Sequence, residues 1–127
     1  MGMSRTLYLR DLIKESITDT NYQVYQDEAP EGASYPYVVF EVSATTEDDF
    51  PKSGILEINA WDRHNTFSRV DNVMDIIEGK LRHQFFKNQY VAFRTFDGTR
   101  SHIPDEDKAI KRTREKFIIR FNSMEGE

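Results

Sequence analysis

Two short runs, Tyr35-Pro36-Tyr37-Val38-Val39-Phe40-Glu41 and Leu56-Glu57-Ile58-Asn59-Ala60-Trp61-Asp62, are followed by a stretch from Thr66 to His83 with apolar residues at helical spacing. In the second run Leu56, Ile58 and Ala60 alternate with Glu57, Asn59 and Trp61, the period of a half-buried strand. The first run is β-branched and aromatic from Tyr37 to Val42, which suits a buried strand, and Tyr35 is biased toward extension by Pro36. Val70, Val73, Met74, Ile77 and Leu81 form one apolar stripe on the helix. Thr66 or Ser68 can cap that helix, with Asp71 three residues beyond Ser68. Gly79 costs about 1 kcal/mol relative to alanine, so close packing or a bend is expected there. A chain with this order must fold two strands and a helix into one compact unit.

Other elements follow from the same reasoning. Leu9, Leu12, Ile13 and Ile17 predict an amphipathic helix from Ser4 to about Thr18, with Ser4 as its cap. Tyr22 to Gln26 reads as a short strand, and Asp27 to Ser34, with Pro30 and Gly32, as a loop. Tyr90 to Phe96 and Arg114 to Phe121 read as two further strands. In the last of these Phe117, Ile119 and Phe121 share one face while Lys116, Ile118 and Arg120 share the other. Residues 43–54 and 97–109 are polar; both read as mobile loops, the second because Asp97-Gly98 is a turn signal. Residues 123–127 read as a frayed tail. The order αβββαββ predicts an α+β fold, a mainly antiparallel sheet with two helices packed on one face. With 127 residues the whole chain, 1–127, is expected to be a single domain around one core.

Composition narrows the chemistry. The net charge of −5 argues against binding of duplex nucleic acid, whose affinity comes from neutralising phosphates with Lys and Arg. Charge is nevertheless segregated: six basic residues lie between Lys108 and Arg120 against the single acid Glu115, while Glu47-Asp48-Asp49 and Asp105-Glu106-Asp107 are acidic clusters. Such patches suit electrostatic pairing between copies of one subunit. Nine Phe, six Tyr and one Trp offset a hydrophobic fraction of 38% and supply residue types that interface cores favour. The absence of cysteine removes disulfides and thiolate chemistry. No apolar run reaches the length of a signal peptide or a membrane span, so a soluble protein, intracellular when made, is expected.

Reactive constellations are weak. His64, His83 and His102 lack the short spacing of a metal motif, and His83 is explained by a helix carboxyl end. Asp105-Glu106-Asp107-Lys108 contains the residue types of a Mg²⁺-dependent nuclease, but they abut in one stretch and read better as an exposed acidic turn. Asp62 could pair with Asp48 or Asp49 for acid–base work, yet an acid at the start of a helix is the simpler role. Phosphate-cradling glycine loops and nucleophile elbows are absent. Phe117 and Phe121 with Lys116 and Arg120 could form a base-stacking face for single strands, although their aliphatic companion Ile119 suggests core. No catalytic, cofactor-binding or metal-ligating residue is therefore assigned.

The strand Tyr35 to Phe40, the polar spacer, the strand ending Ala60-Trp61-Asp62, the helix Val70-Val73-Met74-Ile77-Leu81 and the closing Phe117-Ile118-Ile119-Arg120-Phe121 resemble small tail-completion and tail-terminator proteins of long-tailed bacteriophages and prophages. The match runs from about Leu7 to Phe121. The resemblance implies a non-enzymatic head-to-tail joining protein, without cofactor, that forms a ring, often of six subunits. Such a ring would cap the tail tube and dock it to the capsid connector. Its implied partners are other copies of itself, the tail tube protein and the connector or head-completion protein, with no membrane and no sequence-specific nucleic acid. The implied location is the tail or neck of the virion, reached from the host cytoplasm, where the subunit is expected to be a monomer before assembly. A neck or head-closure component, or a small single-stranded nucleic-acid-binding module, are the alternatives. Candidate interface residues are the acidic Glu47, Asp48 and Asp49 with Phe50, and Asp105, Glu106 and Asp107. Opposite them in charge stand Lys108, Lys111, Arg112 and Arg114.

Overall fold

A computed structural model describes residues 5–18, 22–44 and 52–123. Its elements are α1 (Arg5–Ile17), β1 (Gln23–Gln26), β2 (Tyr37–Ala44), β3 (Lys52–Arg63), α2 (Ser68–Leu81), β4 (Phe85–Lys87), β5 (Val91–Ile103) and β6 (Ile110–Ser123). The six strands form one sheet in the order β1-β2-β3-β6-β5-β4. Strand β1 runs parallel to β2, and every other neighbouring pair is antiparallel. The expected α+β class and the order of its elements hold, with β4 as a short addition.

The period-2 pattern explains the centre of the sheet. Strands β3 and β6 pair without interruption from Lys52↔Phe121 to Arg63↔Ile110. Leu56, Ile58 and Ala60 thereby share a face with Phe117, Ile119 and Phe121. On the same face Val38, Phe40 and Val42 of β2 and Val91 and Phe93 of β5 complete the apolar floor. Leu9, Leu12, Ile13 and Ile17 of α1 and the predicted stripe of α2 close it from above. Each fully buried Leu, Ile or Phe contributes about 1.5–3 kcal/mol relative to exposure, so this single core dominates the stability. Helix α2 lies on β3 and β6, whereas α1 touches β1, β4 and β5, so the sheet curls around both helices.

Two loops are shorter than the sequence suggests. Asp97 to Ile103 is not loop but strand, a continuation of β5 paired with β6 from Gly98↔Phe117 to Ile103↔Arg112. The Asp97-Gly98 turn signal marks an irregularity in register between Thr95 and Gly98, and the true connection is residues 104–109. Likewise Ser43 and Ala44 belong to β2 and Lys52 to Gly54 to β3, leaving residues 45–51 between them. Those residues lie outside the described ones, as do Ser4 and residues 124–127. Helix α2 runs through Gly79, where a Cβ would meet nothing within 4 Å, so close packing is not what the glycine supplies. Neither Thr66 nor Ser68 caps α2: the N-cap is Phe67, with no side-chain capping hydrogen bond, and Thr66 Oγ1 accepts the Ser68 N–H at 3.3 Å from just before it.

Candidate functional site

The helix-covered face carries a polar joint. Arg100 of β5 donates to three carboxylates, Asp75 and Glu78 of α2 at 2.8 and 3.1 Å and Glu115 of β6 at 2.9 Å. One turn earlier in α2, Asp71 accepts from Thr113 Oγ1 at 2.9 Å and contacts His102 Nε2 at 2.9 Å. The His102 ring stacks on Phe67 with centroids 3.8 Å apart. Burial pushes the Glu115 carboxyl up to about 7, Arg100 opposing and Glu78 adding to the rise. A buried carboxyl with raised pKa is a common mark of acid–base catalysis. Here, however, Glu115 has no exposed surface and Arg100 occupies its approach, so the cluster fastens α2 to β5 and β6. Asp62, 1% exposed, fastens the first turn of α2 to β3 through Arg69 Nε at 2.8 Å and also accepts the Arg63 N–H.

No helix covers the other face of the sheet among the described residues, and its two ends differ. At one end Tyr37, Trp61 and Arg112 stand side by side through the register Tyr37↔Trp61↔Arg112. The Tyr37 and Trp61 rings stack with centroids 6.2 Å apart, Tyr35 stacks on Tyr37 at 5.3 Å, and Arg112 lies 4.6 Å over Trp61. Arg112 Nε also donates to Asn59 Oδ1 at 2.9 Å, and Asn59 Nδ2 to Glu57 at 3.0 Å. These residues border an open cleft of about 200 Å³, whose wall includes Asp27, Glu28 and Glu41. At the opposite end Phe85, 53% exposed, lies under Arg94, with Arg120 beside it. Between the two ends the paired Ile55 and Ile118 are 43% and 57% exposed.

The predicted interface residues that are described lie at separate places. Glu47, Asp48, Asp49 and Phe50 lie outside the described residues. Asp105, Glu106, Asp107 and Lys108 are exposed at the β5–β6 connection, where the carboxylates shape the turn. Asp105 accepts the Asp107 N–H, and Asp107 accepts the Ala109 N–H, both at 2.9 Å, which is a structural use of residues that superficially suggest a nuclease. Lys111 turns to Phe67 and to the Lys108 carbonyl, whereas Arg112 and Arg114 lie on the helix-free face. Strand alternation thus divides the basic segment. The base-stacking platform is overturned for the same reason: Phe117 and Phe121 are 0% and 2% exposed, in the core. Trp61, Phe85 and Arg94 escaped the sequence reading; an aromatic on the polar phase of a strand was the available signal for Trp61.

Among the described residues no group of three or more His, Asp or Glu could hold a metal ion, and no helix is long and apolar enough to cross a membrane. No family model and no curated protein matches the sequence. Solved structures do share its fold. One, whose only name is a sequence label, superimposes with a TM-score of 0.74 at 12% identity, covering 95% of this chain and 97% of its own. Another is a chain in the virion of a native gene transfer agent particle. It superimposes with a TM-score of 0.54 at 12% identity, covering 93% of this chain and 91% of that one. The fold of this chain, nearly end to end, is therefore one that also occurs in a virus-like particle.

Proposed function

We propose that this protein is a structural component of a phage-like virion, and within it the tail-completion or tail-terminator subunit that joins tail to head. The observation that carries this reading is the near-full-length likeness to a chain of the gene transfer agent virion. The distribution of its polar groups supports it. Among the described residues the one carboxyl of raised pKa, Glu115, is buried and sealed by Arg100, while Phe85 with Arg94 and Trp61 with Arg112 lie on the helix-free face. In this role subunits form a ring at the head-proximal end of the tail tube, stop its growth and present a surface to the capsid connector; no bond is made or broken. A ring is built from heterologous contacts, in which one surface fits a different surface of the next copy. The direct test is electron microscopy of purified tail tubes mixed with the protein. Density at one tube end, with arrested elongation, is the expected result. Density on connectors alone supports a neck or head-closure component instead, and binding to neither removes the reading.

A further inference from the structure

The net charge of −5 is an average that one half of the helix-free face does not share. Alternation along β6 turns Phe117, Ile119 and Phe121 into the core, so Arg114, Lys116 and Arg120 all lie on the opposite side of that strand. Arg94 of β5 stands directly opposite Arg120, and like charges so placed repel. Lys87 of β4 joins them, because Phe86 before it packs on the core. Strands β4, β5 and β6 contain two acids between them, and neither answers these cations. Asp97 is held by Arg82 and His83 at 2.9 and 2.8 Å, and Glu115 is buried behind Arg100. The acids of this face, Glu41 and Glu57, belong to β2 and β3, and only Lys116 comes within 4.0 Å of one. Two exposed hydroxyl residues flank the row, Thr99 opposite Lys116 and Ser101 opposite Arg114.

We propose that the β4-β5-β6 half of the helix-free face binds the phosphate backbone of duplex DNA without reading its sequence. Charge complementarity selects a polyanion, and Arg and Lys beside Ser and Thr hydroxyls are the side chains that hold phosphate oxygens. A row of cations along one strand suits a repeating charge. Arg114 and Arg120 are separated by about 20 Å of strand, the length of about six phosphates along one DNA strand. The surface rings offer no platform for unstacked bases. Trp61 lies under Arg112 at 4.6 Å and Phe85 under Arg94 at 5.4 Å. The contact is therefore with backbone alone, and a duplex presents its phosphates in fixed ranks, whereas a single strand relies on stacking. This inference goes beyond the virion role and does not depend on it: a joining subunit that never touches DNA keeps that role.

Fluorescence anisotropy of two labelled duplexes of unrelated sequence, titrated with the full chain between about 20 and 200 mM salt, tests the proposal. Equal affinity for both is expected, with log K falling against log salt at a slope of about −4. Arg114→Gln and Arg120→Gln each weaken both duplexes alike and reduce that slope by about 1. Lys14→Gln makes the same charge change on exposed α1 and leaves binding as it was. Glu57→Gln frees Lys116 and tightens binding, a gain that no loss of fold can mimic. Absence of binding at about 20 mM salt, or binding indifferent to Arg114→Gln and Arg120→Gln, overturns the proposal. So does a single strand that binds more tightly than the duplex. Displacement of the duplex by polyglutamate at equal charge concentration assigns the face to an acidic protein and overturns it too. A chain that joins heads to tails but binds no duplex sinks this inference alone, and one that binds duplex but enters no particle sinks the virion role alone.

Discussion

Gly98 gives the Glu115 carboxyl its room: a Cβ on residue 98 would lie 2.5 Å from Glu115 Oε2 and 2.9 Å from its Cγ. The carboxyl cannot swing away freely, because Arg100 holds its other oxygen at 2.9 Å. Gly98→Ala is expected to destabilise the fold by about 1–3 kcal/mol, as overpacking does. In a Glu115→Ala background the same change costs measurably less, since the clashing atoms are gone. A double-mutant cycle by chemical denaturation checks the coupling.

The same carboxyl makes stability depend on pH in a definite direction. Its folded pKa is raised from 4.5 to about 7, so between those values the folded state holds a proton that the unfolded state releases. That contribution is complete below pH 4.5 and is lost as pH rises through about 7. Glu115→Gln cannot ionise. Urea unfolding of the two proteins at about pH 5 and about pH 9 should show the wild type losing more stability toward alkaline pH than the variant. A difference between the proteins that stays constant with pH contradicts the account.

Adjacent residues of β6 should respond in opposite ways. Phe117 has no exposed surface, and Phe117→Ala is expected to cost about 3–5 kcal/mol. Ile118 is 57% exposed on the other face, so Ile118→Thr should stay within about 0.5 kcal/mol. Thermal or denaturant melts of the two variants measure this directly.

Removing Arg69 leaves the buried Asp62 carboxyl with the Arg63 N–H as its remaining hydrogen-bond donor among the described residues. Arg69→Ala is therefore expected to cost about 1–3 kcal/mol, more than the loss of an exposed ion pair. Hydrogen exchange should locate the loosening at the first turn of α2.

The apolar half of this fold was legible because it obeys simple periods. Leu56-Ile58-Ala60, Phe117-Ile119-Phe121 and the α2 stripe each point one way, and the sheet and helix positions follow. The distal half of β5 was not legible, for a physical reason. Arg100 and His102 meet Asp71, Asp75 and Glu78 of α2 instead of apolar neighbours, so the inward positions of that strand look like loop. Gly98, read as a turn, is the place where the strand makes way for Glu115. Thr113 and Glu115 of β6 are buried polar residues in the same joint. The candidate surface was hidden differently. Runs of like charge in the sequence drew attention to Lys108–Arg114, whereas strand alternation and pairing, which no single run contains, put Arg114, Lys116 and Arg120 on one face with Arg94 beside Arg120.

The central claim is that this chain acts as a fitted part of a particle. Electron microscopy of particles released by cells with the gene intact and with the gene deleted, together with mass spectrometry of the intact particles, tests it most directly. The account predicts the protein in complete particles, and, on deletion, heads and tails that accumulate unjoined. Complete, infectious particles lacking the protein would contradict it.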